Sequence, residues 1–207
     1  MSQYFSIHPA NPQKRLITQA AQIVRDGGVI VYPTDSCYAF GCAVGEADAL
    51  ERIRAIRRLD DKHHFTLACS DLSALGIYAK VDTAAFRLLR SVTPGPYTFI
   101  LPATKLVPRR LQHPKRKSIG LRIPNHAIAQ ALLQELDAPL MTTTVQLPGD
   151  ELPMTDAQDI RDRLEHHVDL VIDGGAGALT ATTIIDLTTE APTLVREGLG
   201  DVAWLKG

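Results

Sequence analysis

The side chains best able to do chemistry sit where apolar runs give way to hydroxyls. Tyr32-Pro33-Thr34-Asp35-Ser36-Cys37-Tyr38-Ala39-Phe40-Gly41 turns on a proline and offers two hydroxyls and a carboxylate before a glycine. At the carboxyl end of a strand in an α/β sheet, such residues can grip a phosphate or the polar end of an amino acid. A plain turn with Asx-type local bonds would use the same residues. Thr93-Pro94-Gly95-Pro96-Tyr97-Thr98 leads into a strand in a similar way. Leu140-Met141-Thr142-Thr143-Thr144 ends in hydroxyls that strand propensity alone would also explain. Gly174-Gly175-Ala176-Gly177 has no capped helix after it and reads as a tight turn. In His63-His64 and His166-His167 the neighbours point to different faces, so neither pair chelates a metal by itself and no metal site is expected. The phosphate-loop, dinucleotide-binding and nucleophile-elbow glycine motifs are absent, and no catalytic residue is identified.

Charge is unevenly spread. Residues 83–134 hold nine cations (Arg87, Arg90, Lys105, Arg109, Arg110, Lys115, Arg116, Lys117, Arg122) and no acid. Residues 135–207 hold four basic and fourteen acidic residues, which brings the net charge to −1. The asymmetry points either to a phosphate or polyanion partner or to an acidic third folded against the basic middle. Lys105, Arg109, Arg110, Lys115, Arg116 and Lys117 are the candidate contacts to RNA, either tRNA or double-stranded RNA.

These residues need a scaffold, and 207 residues with 45% apolar content suffice for one domain with a sizeable core. The three cysteines, Cys37, Cys42 and Cys69, suggest neither a disulfide framework nor a zinc spacing. Cys37 reads as a small buried residue, with a reactive thiol as the alternative. Residues 1–11 lack the apolar core of a signal peptide, and no apolar run reaches the roughly 18–20 residues of a membrane span, so a cytoplasmic protein is expected.

Asn11-Pro12 reads as a helix start, with Leu16, Ile17, Ala20, Ile23 and Val24 on one face and Gly27-Gly28 as the stop. Residues 46–59 form a second helix with acids first and arginines last. Residues 72–79 and 83–92 are helical, the latter capped by Asp82; Asn125 caps another helix, and Thr155-x-x-Gln158 is a capping box. Strands are expected at 29–32, 65–69, 97–101, 119–123, 140–145, 168–173, 183–187 and 193–196. This alternation predicts an α/β protein with a central, mainly parallel sheet, mixed toward its closing strands.

The motifs, taken in order, resemble one family, the YrdC/YciO-like proteins, whose best-known members make threonylcarbamoyl-adenylate for tRNA modification. Its P-T-[ED]-[TS]-x-Y-x-x-G matches residues 33–41, its P-G-P-[LY]-T 94–98, and its R-[IVM]-P-x-H 122–126. Its D-G-G matches 173–175, its S-T-[VI]-[VI]-D 182–186 and its R-x-G 196–198, so the likeness spans about 27–198. The resemblance implies a single YrdC-like domain over 1–207, an open twisted mixed sheet with helices on both faces and a concave, positively charged surface. It implies that threonine, bicarbonate and ATP, with magnesium on the ATP, become threonylcarbamoyl-AMP and pyrophosphate. It places Thr34, Ser36, Arg122 and Thr182 at the amino acid and its carbamate, and Arg58, Thr143 and Arg196 at the nucleotide phosphates.

Two departures stand out. Where the synthases carry K-x-R-P, this chain reads Ile56-Arg57-Arg58-Leu59, with Arg57 or Lys62 as possible replacements for the lysine. Where they carry S-x-N it reads Thr143-Thr144-Val145, and their S-x-[SP]-T segment diverges into Glu151-Leu152-Pro153-Met154-Thr155. Losing one preorganised donor typically costs about 10²–10³ in rate. Three readings follow: a weak or altered synthase, a non-catalytic RNA-binding protein, or carbamoyl-adenylate chemistry on another substrate. Ile56→Lys with Val145→Asn is expected to raise adenylate formation.

Overall fold

Residues at helical spacing decide which faces are covered. Ile17, Ala20, Ala21 and Val24 are the buried stripe of α1 (Lys14–Arg25), and Ile128, Ala129, Leu132 and Leu133 that of α5 (Ala127–Leu136). The computed structural model describes residues 1–59, 63 and 65–205; Lys62 and His64 lie outside the described residues. The remaining helices are α2 (Ala47–Arg57), α3 (Leu72–Tyr78), α4 (Thr83–Val92) and α6 (Ala157–Leu164). The strands are β1 (Gln3–Ser6), β2 (Ile30–Tyr32), β3 (Ala39–Ala43), β4 (Thr66–Ala68) and β5 (Tyr97–Pro102). After them come β6 (Ser118–Arg122), β7 (Leu140–Thr144), β8 (Leu170–Asp173), β9 (Thr183–Asp186) and β10 (Thr193–Arg196).

Among the described residues, ten strands join one sheet in the order β1-β8-β2-β3-β7-β4-β6-β5-β9-β10. Parallel pairs are β1·β8, β2·β8, β4·β6 and β5·β9; the other five neighbours run antiparallel. The sheet is therefore mixed throughout, which corrects the mainly parallel expectation. The cause is local: β2 returns into β3 through residues 33–38 with no helix between, and only an antiparallel return is that short.

Period-two alternation splits the core. Phe40, Leu67, Phe99, Leu121 and Met141 pack with α2, α3, α4 and α6 on one face. Ile30, Tyr32, Ala68, Leu140 and Ile172 pack with α1 and α5 on the other. These two helices leave that second face uncovered over β5, β6 and β9, where Thr98, Ile100, Gly120 and Ile184 line open hollows.

Asp82 caps α4 as expected, accepting from the Ala85 N–H at 2.8 Å. Three expected starts shift. The His8 ring accepts from the Ala10 and Asn11 N–H groups, making residues 8–13 a turn of their own, and α1 begins only after Gln13. Asn125 gives its N–H to Asp35 instead of capping α5. Asp156 replaces Thr155 as the cap of α6, accepting from Gln158 and Asp159. The three cysteines are free and buried.

Candidate functional site: a guanidinium-lined cleft

Thr34 organises the β2–β3 loop. Its hydroxyl donates to Cys37 O at 2.7 Å and accepts from the Ser36 N–H at 3.1 Å. The Ser36 hydroxyl lies 3.1 Å from it and accepts from Arg122 Nη1 at 3.3 Å. Arg122 ends β6 and gives Nη2 to the Asp35 carboxylate, whose other oxygen accepts from the Asn125 N–H at 2.9 Å. Guanidinium and carboxylate are 8% and 10% exposed, so this ion pair is buried, and the Arg122 Nε–H has no partner among the described residues. The Tyr38 hydroxyl clamps the turn after β8, donating to Gly175 O at 2.6 Å and accepting from the Gly174 N–H at 3.2 Å. A Cβ at Gly174 would stand 2.7 Å from the Pro33 ring, which is why glycine is needed there.

Beside this loop lies a cleft of about 230 Å³. Three arginines line it, each from a different element: Arg57 from α2, Arg122 from β6 and Arg196 from β10. Arg57 Nη1 donates to Thr143 Oγ1 at 2.6 Å and its Nε to Gln146 O at 3.0 Å; His63 Nε2 is 3.3 Å from the same hydroxyl. Arg196 donates Nη2 to Thr182 O at 2.9 Å, and the Thr182 and Thr98 hydroxyls are 2.9 Å apart. A register shift between Leu194 and Arg196 marks where β10 bends to deliver this arginine. Burial works against the charged forms of Arg57 and Arg196, a strain that an anion in the cleft would relieve. Burial also raises the Cys37 thiol, against the opposing pull of Arg122 and Arg196, which favours the inert small residue over the reactive thiol.

An apolar hollow of about 310 Å³ opens off the cleft and shares Thr66, Thr98 and Ile184 with it. Phe65, Ile100, Ile119 and Val195 form its walls. The two together offer cations and hydroxyls at one end and a greasy slot at the other. Among the described residues, no group of three His, Cys, Asp or Glu is placed to hold a metal ion.

The structure thus brings Arg122, Thr143, Thr182 and Arg196 into one cleft, with Thr34 and Ser36 immediately behind its Arg122 wall. Arg58 does not join them; it lines a separate hollow, and Arg57 takes the cleft position. Val145 is fully buried in the core and turns away from the cleft, where Gln146 stands instead. The aligned restoration at Ile56 and Val145 would therefore place its new groups in another hollow and in the core. Arg122 pairs with Asp35 of the adjacent loop, and among the described residues no C-terminal acid pairs with it.

The six candidate RNA contacts are all exposed on the excursion between β5 and β6. Among the described residues only Arg116 of the six forms an ion pair, with Asp186 at 3.1 Å. The acidic third therefore answers the basic excursion at a single point. Sequence reasoning undervalued Arg57, Thr66, Thr98 and Gln146; the signal available was strand alternation, since Thr66 of β4 and Thr98 of β5 reach the open face on either side of Gly120 in β6.

Fold and cleft define an α/β protein whose half-open sheet presents three guanidiniums to one pocket. The family model described as Telomere recombination, covering Sua5, YciO and YrdC, matches residues 22–198, and the chain belongs to that family. It is 58% identical over 202 residues to the uncharacterized protein YciO of Escherichia coli strain K12, 98% of each chain being covered. It is 36% identical over 144 residues to the threonylcarbamoyl-AMP synthase of Chromobacterium violaceum, covering 69% of this chain and 74% of that one. The crystal structure of E. coli YciO matches with a TM-score of 0.94 and 58% identity over 98% of both chains. The crystal structure of P. abyssi Sua5 complexed with L-threonine matches at 0.86 and 25% identity, over 94% of this chain and 57% of that one. No described helix is long and apolar enough to cross a membrane.

Proposed function

We propose that the chain joins a small amino acid, bicarbonate and ATP into a carbamoyl-adenylate, as a threonylcarbamoyl-AMP synthase does, for use in tRNA modification. The observation that carries this reading is the convergence of Arg57, Arg122 and Arg196 with the threonine hydroxyls in one cleft. The amino group takes up bicarbonate as a carbamate with loss of water. A carbamate oxygen then attacks the α-phosphorus, the bond to the bridging oxygen breaks, and pyrophosphate leaves. Such a reaction needs orientation and charge stabilisation more than a protein nucleophile.

Arg57 and Arg196 hold the phosphates with Thr143, in the place first expected of Arg58. The Thr182 and Thr98 hydroxyls hold the carbamate, and the Thr34, Ser36 and Arg122 corner the amino acid. The apolar hollow suits the nucleoside base. Magnesium arrives with ATP as part of the substrate. The likeness to the threonine complex of P. abyssi Sua5 and to the C. violaceum synthase supports this reading. A reducing, cytoplasmic setting agrees with three unpaired cysteines.

The test is pyrophosphate release from ATP and bicarbonate with threonine or other amino acids. Release with threonine supports the reading, and release only with another amine moves the substrate while keeping the chemistry. No release with any amino acid, together with no ATP binding, would falsify it.

The exposed excursion between β5 and β6 favours a second reading, RNA binding through backbone contacts. Its cations predict weak sequence preference and steep salt dependence. Titrations on tRNA and on an unrelated duplex check this; a flat salt response removes the idea.

A further inference from the structure

Beside the Arg57 and Gln146 wall of the cleft, the end of α2 and the end of α6 enclose a separate hollow of about 670 Å³ with residues 147–148. Arg52, Arg58, Arg163, His166 and His167 line it, and among the described residues no carboxylate does. Its floor is apolar, from Ile56, Leu147 and Leu164. We propose that this hollow is a second anion site, taking a small phosphomonoester whose organic part rests on the apolar floor.

Two of the arginines are already fixed. Arg52 pairs with Asp169 at 2.8 Å and donates to His167 O at 3.0 Å. Arg163 grips both oxygens of Asp150, at 2.9 and 3.1 Å. Both acids stand outside the lining, so the guanidiniums are preorganised and their remaining N–H groups stay available. Arg58 differs: it is exposed and forms no ion pair among the described residues. Its backbone sits at φ 50°, ψ 45°, closing α2 in the left-handed conformation. Glycine takes that position freely, whereas a residue with a Cβ is strained there. An arginine is thus kept where the cap alone would prefer glycine. Each imidazole adds an N–H donor in either protonation state.

A plainer role for these cations is to face the negative ends of α2 and α6, an effect that fades within one turn. That role needs no ligand, so binding separates the two. Phenyl phosphate and inorganic phosphate are the probes, because neither is a nucleotide. The readout is the ring NMR signals of His166 and His167, assigned with His166→Asn and His167→Asn. We expect both to move saturably at millimolar phenyl phosphate, with inorganic phosphate several-fold weaker. Arg58→Gln should weaken binding about tenfold, the loss of one charge-assisted contact. Arg196→Gln, on the β10 side of the cleft and outside the lining of this hollow, should leave these shifts in place. Stationary signals, or equal affinity in Arg58→Gln, would overturn the site. Equal affinity for the two probes would overturn the role of the apolar floor.

Discussion

Arg122 and Asp35 meet where water hardly reaches, with side chains 8% and 10% exposed. Two charges so placed are tolerable only while each keeps its partner. Asp35→Asn strands the guanidinium, and the expected loss is about 3–5 kcal/mol of unfolding free energy in urea. A loss no larger than a surface change gives would show the pair to be solvent-screened. Arg57 faces the opposite test, of chemistry. If it stabilises charge at the phosphates, Arg57→Ala lowers pyrophosphate release by about 10²–10³-fold; an unchanged rate would remove it from the site. Val145→Asn asks whether the family's asparagine position belongs to the cleft. With Val145 at 0% exposure in the core, the amide has no partner there, and the expected outcome is about 1–3 kcal/mol of destabilisation with no gain in rate. A gain would return that position to the cleft.

At the scale of elements, β2 and β3 show how closely backbone and site are joined. Gly41 lies opposite Ile30 in this pair, and a Cβ there would stand 2.9 Å from the fully buried Tyr32 ring. The Tyr32 hydroxyl donates to Thr142 Oγ1 at 3.1 Å, and Thr142 in turn lines the cleft. Gly41→Ala is therefore expected to cost about 1–3 kcal/mol by overpacking and to weaken ATP binding through Thr142. Calorimetric midpoints and ATP titrations of the variant check both; an unshifted midpoint would mean that Tyr32 can give way. The same strand explains what was legible in the sequence. β5, β6, β8 and β9 are apolar or β-branched runs and could be read directly. β3 is Ala-Phe-Gly-Cys-Ala, a strand only because Tyr32 and β7 demand small residues beside them, and so it read as loop. In the site, the structure gathers Arg122, Thr143, Thr182 and Arg196, each from a different motif, into one cleft. The choice between Arg57 and Arg58 escaped motif order, because consecutive residues at a helix end face about 100° apart and the left-handed cap decides which one points in.

Across the whole molecule, the buried thiols and phenols tie stability to alkaline pH. Burial pushes Cys42 and Cys69 each up to about 12, with Glu46 and Asp71 respectively adding to it. Burial likewise pushes Tyr38 up to about 12. In the unfolded chain a thiol ionises near about 8.5 and a phenol near about 10. Above those values the unfolded state has given up protons that the folded state still holds. The folded state then binds more protons, so stability falls as pH rises. These groups contribute fully below about pH 8, and their contribution is lost progressively toward pH 12, each with a slope of at most about 1.4 kcal/mol per pH unit. Under reducing conditions the urea midpoint should stay level near neutral pH and then decline. Replacing both thiols, as Cys42→Ala with Cys69→Ala, should lower the midpoint at neutral pH through lost packing and make the alkaline decline shallower. The two effects have opposite directions, so general weakening of the core cannot imitate them. Parallel declines in parent and variant would mean that both thiols already ionise in the folded protein at their ordinary values, and the alkaline limb would then have to come from Tyr38 and the other phenols.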